Sequence, residues 1–172
     1  PDREVLEALV GAGFIEICLP FESASQRIIK KYATNKFDAE NHNVTALIKM
    51  CKEYGLTIEG NYMVGWPDET RDEMNLTIEM ARQHRAEGLD AVAVMSVIPL
   101  PGTPLFDIAK ADGYLPDDWS PDSMTWTRSN MVNTLIPAAE LEDVRQRAWL
   151  ELNDPEHVRS KMAMAPATPN VI

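Results

Sequence analysis

The stretch from Leu56 to Thr70, LTIEGNYMVGWPDET, constrains the fold more than any other part of the chain. Thr57, Ile58, Tyr62, Met63 and Val64 are β-branched, aromatic or apolar and surround Gly60 and Asn61, a composition suited to a strand covered on both faces. Gly65 then permits a backbone conformation or a close approach that a side chain would block, and Pro67 ends the ladder. Thr70 followed by Glu73 has capping-box spacing and opens a helix. The carboxyl end of a strand entering such a turn is where α/β proteins hold ligands. Taken alone, the pattern defines only a βα turn.

The flanking elements repeat that logic. Val5, Leu6, Leu9 and Val10 fall at helical spacing, and Gly11 and Gly13 end the first helix. Phe14 to Pro20, FIEICLP, reads as a buried strand stopped by Pro20. Ser23 and Gln26 have capping-box spacing before SQRIIKKY. The acid and hydroxyl at Glu22 and Ser23 are expected at the same mouth as Gly65. A helix from Ala39 to Tyr54 places Val44, Leu47, Ile48 and Cys51 on one side. Another, Arg71 to Glu87, turns Met74, Ile78 and Ala81 inward. Leu89 to Leu100 is a continuous apolar run too rich in β-formers for a helix. It leads into the stiff Pro99–Pro104 loop, a rigid rim for a pocket. A short helix follows over Leu105 to Ala111. Strand, crossover helix and strand in alternation predict a parallel sheet with right-handed crossovers. Three strands are too few for a closed barrel, so the chain reads as a piece of one.

From Leu115 to Ile136 no period is visible, and an irregular wrapping segment is expected. A helix from Pro137 to about Leu152 follows, then a last short helix begun by Pro155 and a frayed tail from Ala165. The chain thus divides at residue 115 into an α/β part and a mainly helical extension, 116–172.

Composition narrows the function. A chain of 172 residues, 45% hydrophobic, can bury one sizeable core, and a net charge of −11 argues against nucleic acid or an anionic membrane as partner. No apolar run is long enough to span a bilayer and no charged-then-apolar leader is visible, so a cytoplasmic protein is expected. Cys18 and Cys51 lie far apart in apolar segments and read as buried thiols, and no familiar metal-ligand spacing occurs. His42, His84 and His157 sit in polar helical contexts and are assigned no chemistry.

Three separated motifs, GFIEICLPFESASQRIIKKY, NYMVGWPDET and VIPLPGTPLFDIAKADG, resemble in order and spacing the second half of a radical S-adenosylmethionine (SAM) enzyme core. The group most similar is that of the iron–sulfur oxidoreductases that often carry a cobalamin-binding domain, among them the anaerobic magnesium-protoporphyrin IX monomethyl ester cyclase and several radical methyltransferases. The resemblance covers residues 1 to 115 and implies a partial TIM-type (β/α)6 barrel, with the three strands here as its fourth, fifth and sixth. It implies that Glu22 and Ser23 offer polar groups to the SAM ribose and that Arg27 grips the SAM carboxylate in a bidentate fork. Asn61, Met63, Gly65 and, one place late, Glu69 match the fifth-strand GxIxGxxE-like motif that contacts adenine. Ile98 and Pro99 end the sixth strand, where adenine meets backbone hydrogen bonds.

Each residue also has a plain structural reading. Glu22 suits a loop acid near a helix start, Ser23 an N-cap, Arg27 a helix surface, and Met63 and Ile98 a core. Trp66, at a strand end, suits either stacking on a flat substrate such as a tetrapyrrole or packing of the rim. The resemblance further implies a [4Fe–4S] cluster on a CxxxCxxC loop, which this chain lacks. No catalysis is therefore expected from these residues alone, and the rest of the barrel, in the amino-terminal half of a longer polypeptide, is the implied partner. Open sheet edges and an apolar concave face predict that the isolated piece self-associates or that residues 115–172 fold over the open side. A non-catalytic α/β scaffold that binds a partner is the alternative.

Overall fold

In the computed structural model, residues 1–33, 43–157 and 159 are described. Helix α1 (Arg3–Gly11) leads into strand β1 (Glu16–Glu22), followed by helices α2 (Gln26–Tyr32) and α3 (Val44–Glu53). Strand β2 (Thr57–Val64), helix α4 (Arg71–Glu87), strand β3 (Ala91–Ser96) and helix α5 (Pro104–Ala111) complete the α/β part. One 3₁₀ turn and helix α6 (Ala138–Leu152) follow. The strands lie in the order β1-β2-β3, both pairs parallel. The expected α/β architecture of three parallel strands with outer helices and a helical extension is the one observed.

Among the described residues the strands are covered on one face, not two. Along β2, Ile58, Gly60, Tyr62 and Val64 are buried while Thr57, Glu59, Asn61 and Met63 are not. The buried set packs with Leu19, Phe21, Val92 and Val94 against Leu6 of α1, Ile48 and Cys51 of α3, Met74, Ile78 and Ala81 of α4, and Leu141, Ala148 and Leu152 of α6. All these helices cover one side of the sheet. Register places Cys18, Glu59 and Ala91 in one row and Pro20, Asn61 and Ala93 in the next, across the uncovered face. That face is polar as well as apolar, and Cys18 is exposed rather than buried. A run of β-formers broken by Glu59 and Asn61 carried this period-2 signal, which the bulk of its neighbours obscured.

Pro20 does not end β1. The strand continues to Glu22, and Pro20 is tolerated because β1 is the sheet's edge, where no neighbour needs its missing N–H. Phe21, outside the expected strand, is buried and stacks on Tyr62 with ring centroids 5.4 Å apart. The cap of α2 is Ser25, whose hydroxyl accepts from the Ile28 N–H, and not Ser23. Helix α3 starts at Val44 with Asn43 as cap; the expected turn from residue 39, and His42, lie outside the described residues. Residues 155–157 are helical, and the end of the expected last helix lies outside the described residues as well.

The described part of the extension packs on the helix-covered side of the sheet. It also occupies the free edge of β3. The Asn153 amide accepts from the Val92 N–H and donates to the Val92 carbonyl, both at 2.9 Å. Arg145 donates to the Val94 carbonyl at 3.2 Å, and the Trp126 carbonyl accepts from the Ser96 N–H at 2.8 Å. Alternate residues of a strand turn their backbone groups to the same side, so Asn153, Arg145 and Trp126 stand in for a neighbouring strand. A second, smaller core of Ile28, Ile29, Tyr32, Trp66, Val97, Leu105 and Met131 sits where the strands end.

Candidate functional site at the carboxyl ends of the strands

Three turns bring the strand ends together. The register between β1 and β2 slips at Pro20/Glu22, and Glu22 adopts a left-handed φ of 61°. That conformation is disfavoured for any residue with a Cβ. With Phe21 anchored in the core, the bulge turns Glu22 over the lip of the sheet. After β2, Gly65 has φ +86°, and a Cβ there would lie 2.5 Å from Leu141 Cδ2 of α6. Both freedoms anticipated for Gly65 are thus in use. Behind that turn Glu69 is fully buried, and its Oε2 accepts from the Gly65 N–H at 2.6 Å. Burial pushes the Glu69 carboxyl up to about 8, against the opposing pull of the Gly65 and Trp66 backbone N–H groups. The Thr70 capping box with Glu73 is complete.

A cavity of about 240 Å³ lies at this lip. Glu22 from β1, Met63 from β2, Trp66 from the following turn, Ile98 from beyond β3, Tyr32 from α2 and Trp126 from the extension contribute to its walls. Glu22 is the one charged residue among those lining it. This is below the roughly 300–1,000 Å³ of sites for drug-sized ligands. One pleat before Met63 on the same face, Asn61 Oδ1 is buried and has no hydrogen-bond partner among the described residues. Trp66 is largely committed elsewhere: it is 4% exposed, stacks on Tyr32 at 5.8 Å, and donates its indole N–H to the Met63 carbonyl at 3.3 Å.

Four of the residues named from sequence, Glu22, Met63, Trp66 and Ile98, therefore share one cavity. Ser23, Arg27, Gly65 and Pro99 are not among its lining residues. The buried Ser23 hydroxyl meets the Thr77 hydroxyl of α4 at 3.2 Å and accepts from the Ser25 N–H. Arg27 forms its bidentate fork with a carboxylate of this chain: Nε and Nη2 donate to Glu73 at 2.8 and 2.7 Å, and Nη1 to Asp68 at 2.9 Å. The guanidinium holds the Glu73 carboxyl far below the usual range. Gly65 shapes the turn from behind, and Pro99 is buried in the rim. Sequence reasoning missed Tyr32 and Trp126; an indole in an otherwise polar, aperiodic segment was the only signal for the latter.

His84 is also misplaced by its neighbours in sequence. It is buried, with Nδ1 2.8 Å from the Tyr62 hydroxyl, and burial lowers its pKa. It lies on the helix-covered side of the sheet, away from the cavity.

No protein-family model matches the chain. An uncharacterized methyltransferase of Pyrococcus horikoshii is 31% identical over 114 residues, 66% of this chain and 24% of that protein. A putative methylthiotransferase of Methanocaldococcus jannaschii is 34% identical over 109 residues, 62% of this chain and 22% of that protein. The matched stretch thus spans about a quarter of the first of these relatives. Among solved structures, coproporphyrinogen III oxidase of Escherichia coli, described as a radical SAM enzyme, superposes with a TM-score of 0.53. That match covers 95% of this chain and 30% of that one at 14% identity. The likeness shows a shared partial (β/α)-barrel fold. Its carboxyl lip is therefore the end of the sheet on which a (β/α) barrel carries its chemistry. Among the described residues no helix is long and apolar enough to cross a membrane.

Proposed function

We propose that this chain is the SAM- and substrate-binding half of a radical SAM enzyme of oxidoreductase or methyltransferase type, and that it does not catalyse by itself. The observation that carries the reading is the convergence of Glu22, Met63 and Ile98, from the ends of three parallel strands, on one mainly apolar cavity holding a single carboxylate. The similarity to enzymes named for methyl and methylthio transfer supports it.

SAM fits the residues present. Met63 and Ile98 would bracket the adenine with apolar contact, and the Glu22 carboxylate would accept from the ribose hydroxyls, a charge-assisted pairing. Among the described residues Asn61 Oδ1 is an unused acceptor on the same face. When bound, SAM would supply a 5′-deoxyadenosyl radical or a methyl group, and this chain's residues would bind it, orient it and exclude water. Ser23, Arg27, Gly65 and Pro99 act here from behind the wall, by fixing the turns that carry Glu22, Met63 and Ile98.

An iron–sulfur cluster does not fit. The chain has two cysteines, Cys51 buried in α3 and Cys18 exposed on β1, and among the described residues no group of three His, Cys, Asp or Glu could hold a metal ion. Cluster ligands would come from outside this sequence, in a polypeptide whose further strands pair with the open edge of β1. Likeness to the cyclase group, cobalamin in the longer protein, Trp66 facing a flat substrate, and a cytoplasmic setting are the finer parts of the proposal, and they rest on the sequence motifs.

Calorimetric titration with S-adenosylhomocysteine tests the reading. The chain is expected to bind it, Ile98→Asp to weaken binding at least tenfold, and Glu22→Gln to weaken it about fivefold, a loss of about 1 kcal/mol. A folded chain that shows no binding overturns the proposal.

A further inference from the structure

Along the free edge of β3, between α6 and the segment that carries Trp126, runs a second groove of about 480 Å³. Met95, Trp126, Arg128, Arg145, Gln146 and Trp149 contribute to it, together with one acid, Glu142. Trp126 lines both this groove and the cavity at the lip, so the two are neighbours across one indole.

Most but not all of the described arginines pair with an acid; Arg85, for one, is held by the Leu152 and Leu89 carbonyls and forms no salt bridge. Arg3, Arg27, Arg71, Arg82 and Arg147 each form a salt bridge with an acid. Among the described residues Arg145 forms none. Its Nε donates to the Thr127 carbonyl at 3.0 Å and its Nη1 to the Val94 carbonyl at 3.2 Å, which leaves Nη2 without a partner. Burial works against its charge and lowers its pKa, and only a coulombic pull from Glu142 opposes this. Glu142 is itself engaged, accepting from the Ser129 N–H at 3.1 Å. Exposed Arg128 adds a second cation, which forms no salt bridge among the described residues. In a chain of net charge −11, a half-buried guanidinium held by carbonyls and open at Nη2 is an anion acceptor. The indoles of Trp126 and Trp149 add flat apolar surface beside it.

We propose that this groove binds a small planar compound carrying a carboxylate, with Arg145 pairing the carboxylate and Trp126 and Trp149 holding the ring system. The carboxylate completes the guanidinium at Nη2, and the contact with Trp126 brings the compound next to the cavity assigned to the nucleoside. The groove is then the substrate side of the site, and the extension beyond residue 115 supplies it. This assignment rests on the proposed function only for the word substrate.

Pyrene-1-carboxylate and uncharged pyrene-1-methanol are suitable probes, titrated into the whole chain without nucleoside and followed by tryptophan fluorescence. The carboxylate is expected to bind at least fivefold tighter than the alcohol. Gln146→Glu, at an exposed position that supports no strand, is expected to weaken the carboxylate at least threefold and leave the alcohol unchanged. Arg145→Gln is expected to erase the preference, and Trp149→Leu to weaken both probes alike. Equal affinity for the two probes, or a preference that survives Gln146→Glu, overturns the proposal even if Arg145→Gln fails to fold. Because no nucleoside is present, either result leaves the reading of the lip cavity to its own titration.

Discussion

Glu69 keeps a proton that an unfolded chain releases. Its carboxyl titrates near 8 in the folded protein against an ordinary value of 4.5. Between these values the folded state holds one more proton than the unfolded state, so stability falls as pH rises through the window. The contribution is complete below about pH 4.5 and gone by about pH 8. Glu69→Gln retains an acceptor for the Gly65 N–H and has no proton to lose. Its stability relative to the parent is expected to rise from pH 5 to pH 8 in urea titrations, and a constant difference across that range sinks the assignment. At Gly65, alanine meets both a positive φ and Leu141, so Gly65→Ala is expected to cost at least about 1–2 kcal/mol, read as a lower urea midpoint. Gly65 was legible from sequence because few residues tolerate such a turn. The commitment of Arg27 to Glu73 was not, since the two lie 46 positions apart and only the fold brings them together.

Among the elements, β3 shows what the extension does. Its edge would otherwise expose backbone N–H and C=O groups, and a single buried amide, Asn153, satisfies both groups of Val92. Asn153→Ala leaves a buried donor and acceptor unpaired, for an expected loss of about 2–3 kcal/mol by urea denaturation. A loss under 0.5 kcal/mol would show that water replaces the amide at no cost. Helix α4 was readable from apolar spacing and its capping box, and Met74, Ile78 and Ala81 are all buried as that spacing requires. Strand β1 was harder to read. Its proline suggests a stop, and only knowledge that it is an edge explains why the ladder passes through. The segment holding Trp126 has no period at all, so its place beside β3 had no local signature.

At the scale of the molecule, the parallel order and common lip followed from the alternation of strand and crossover helix. The one-sided covering did not, because it depends on which helices return to the same side. Phe14 and Ile15, at the approach to β1, are 54% and 79% exposed. Together with the open edge of β1 they form the surface through which the isolated chain is expected to associate. Ile15→Lys should lower the apparent mass in concentration-dependent light scattering, and an unchanged monomer in both proteins would refute this. One flank of the sheet is sealed by Asn153, Arg145 and Trp126, whereas among the described residues no strand pairs with the other. A unit with a single adhesive side can pair with a copy of itself but has nothing left to offer a third, so backbone-mediated assembly stops at a closed twofold pair and cannot run on into a filament.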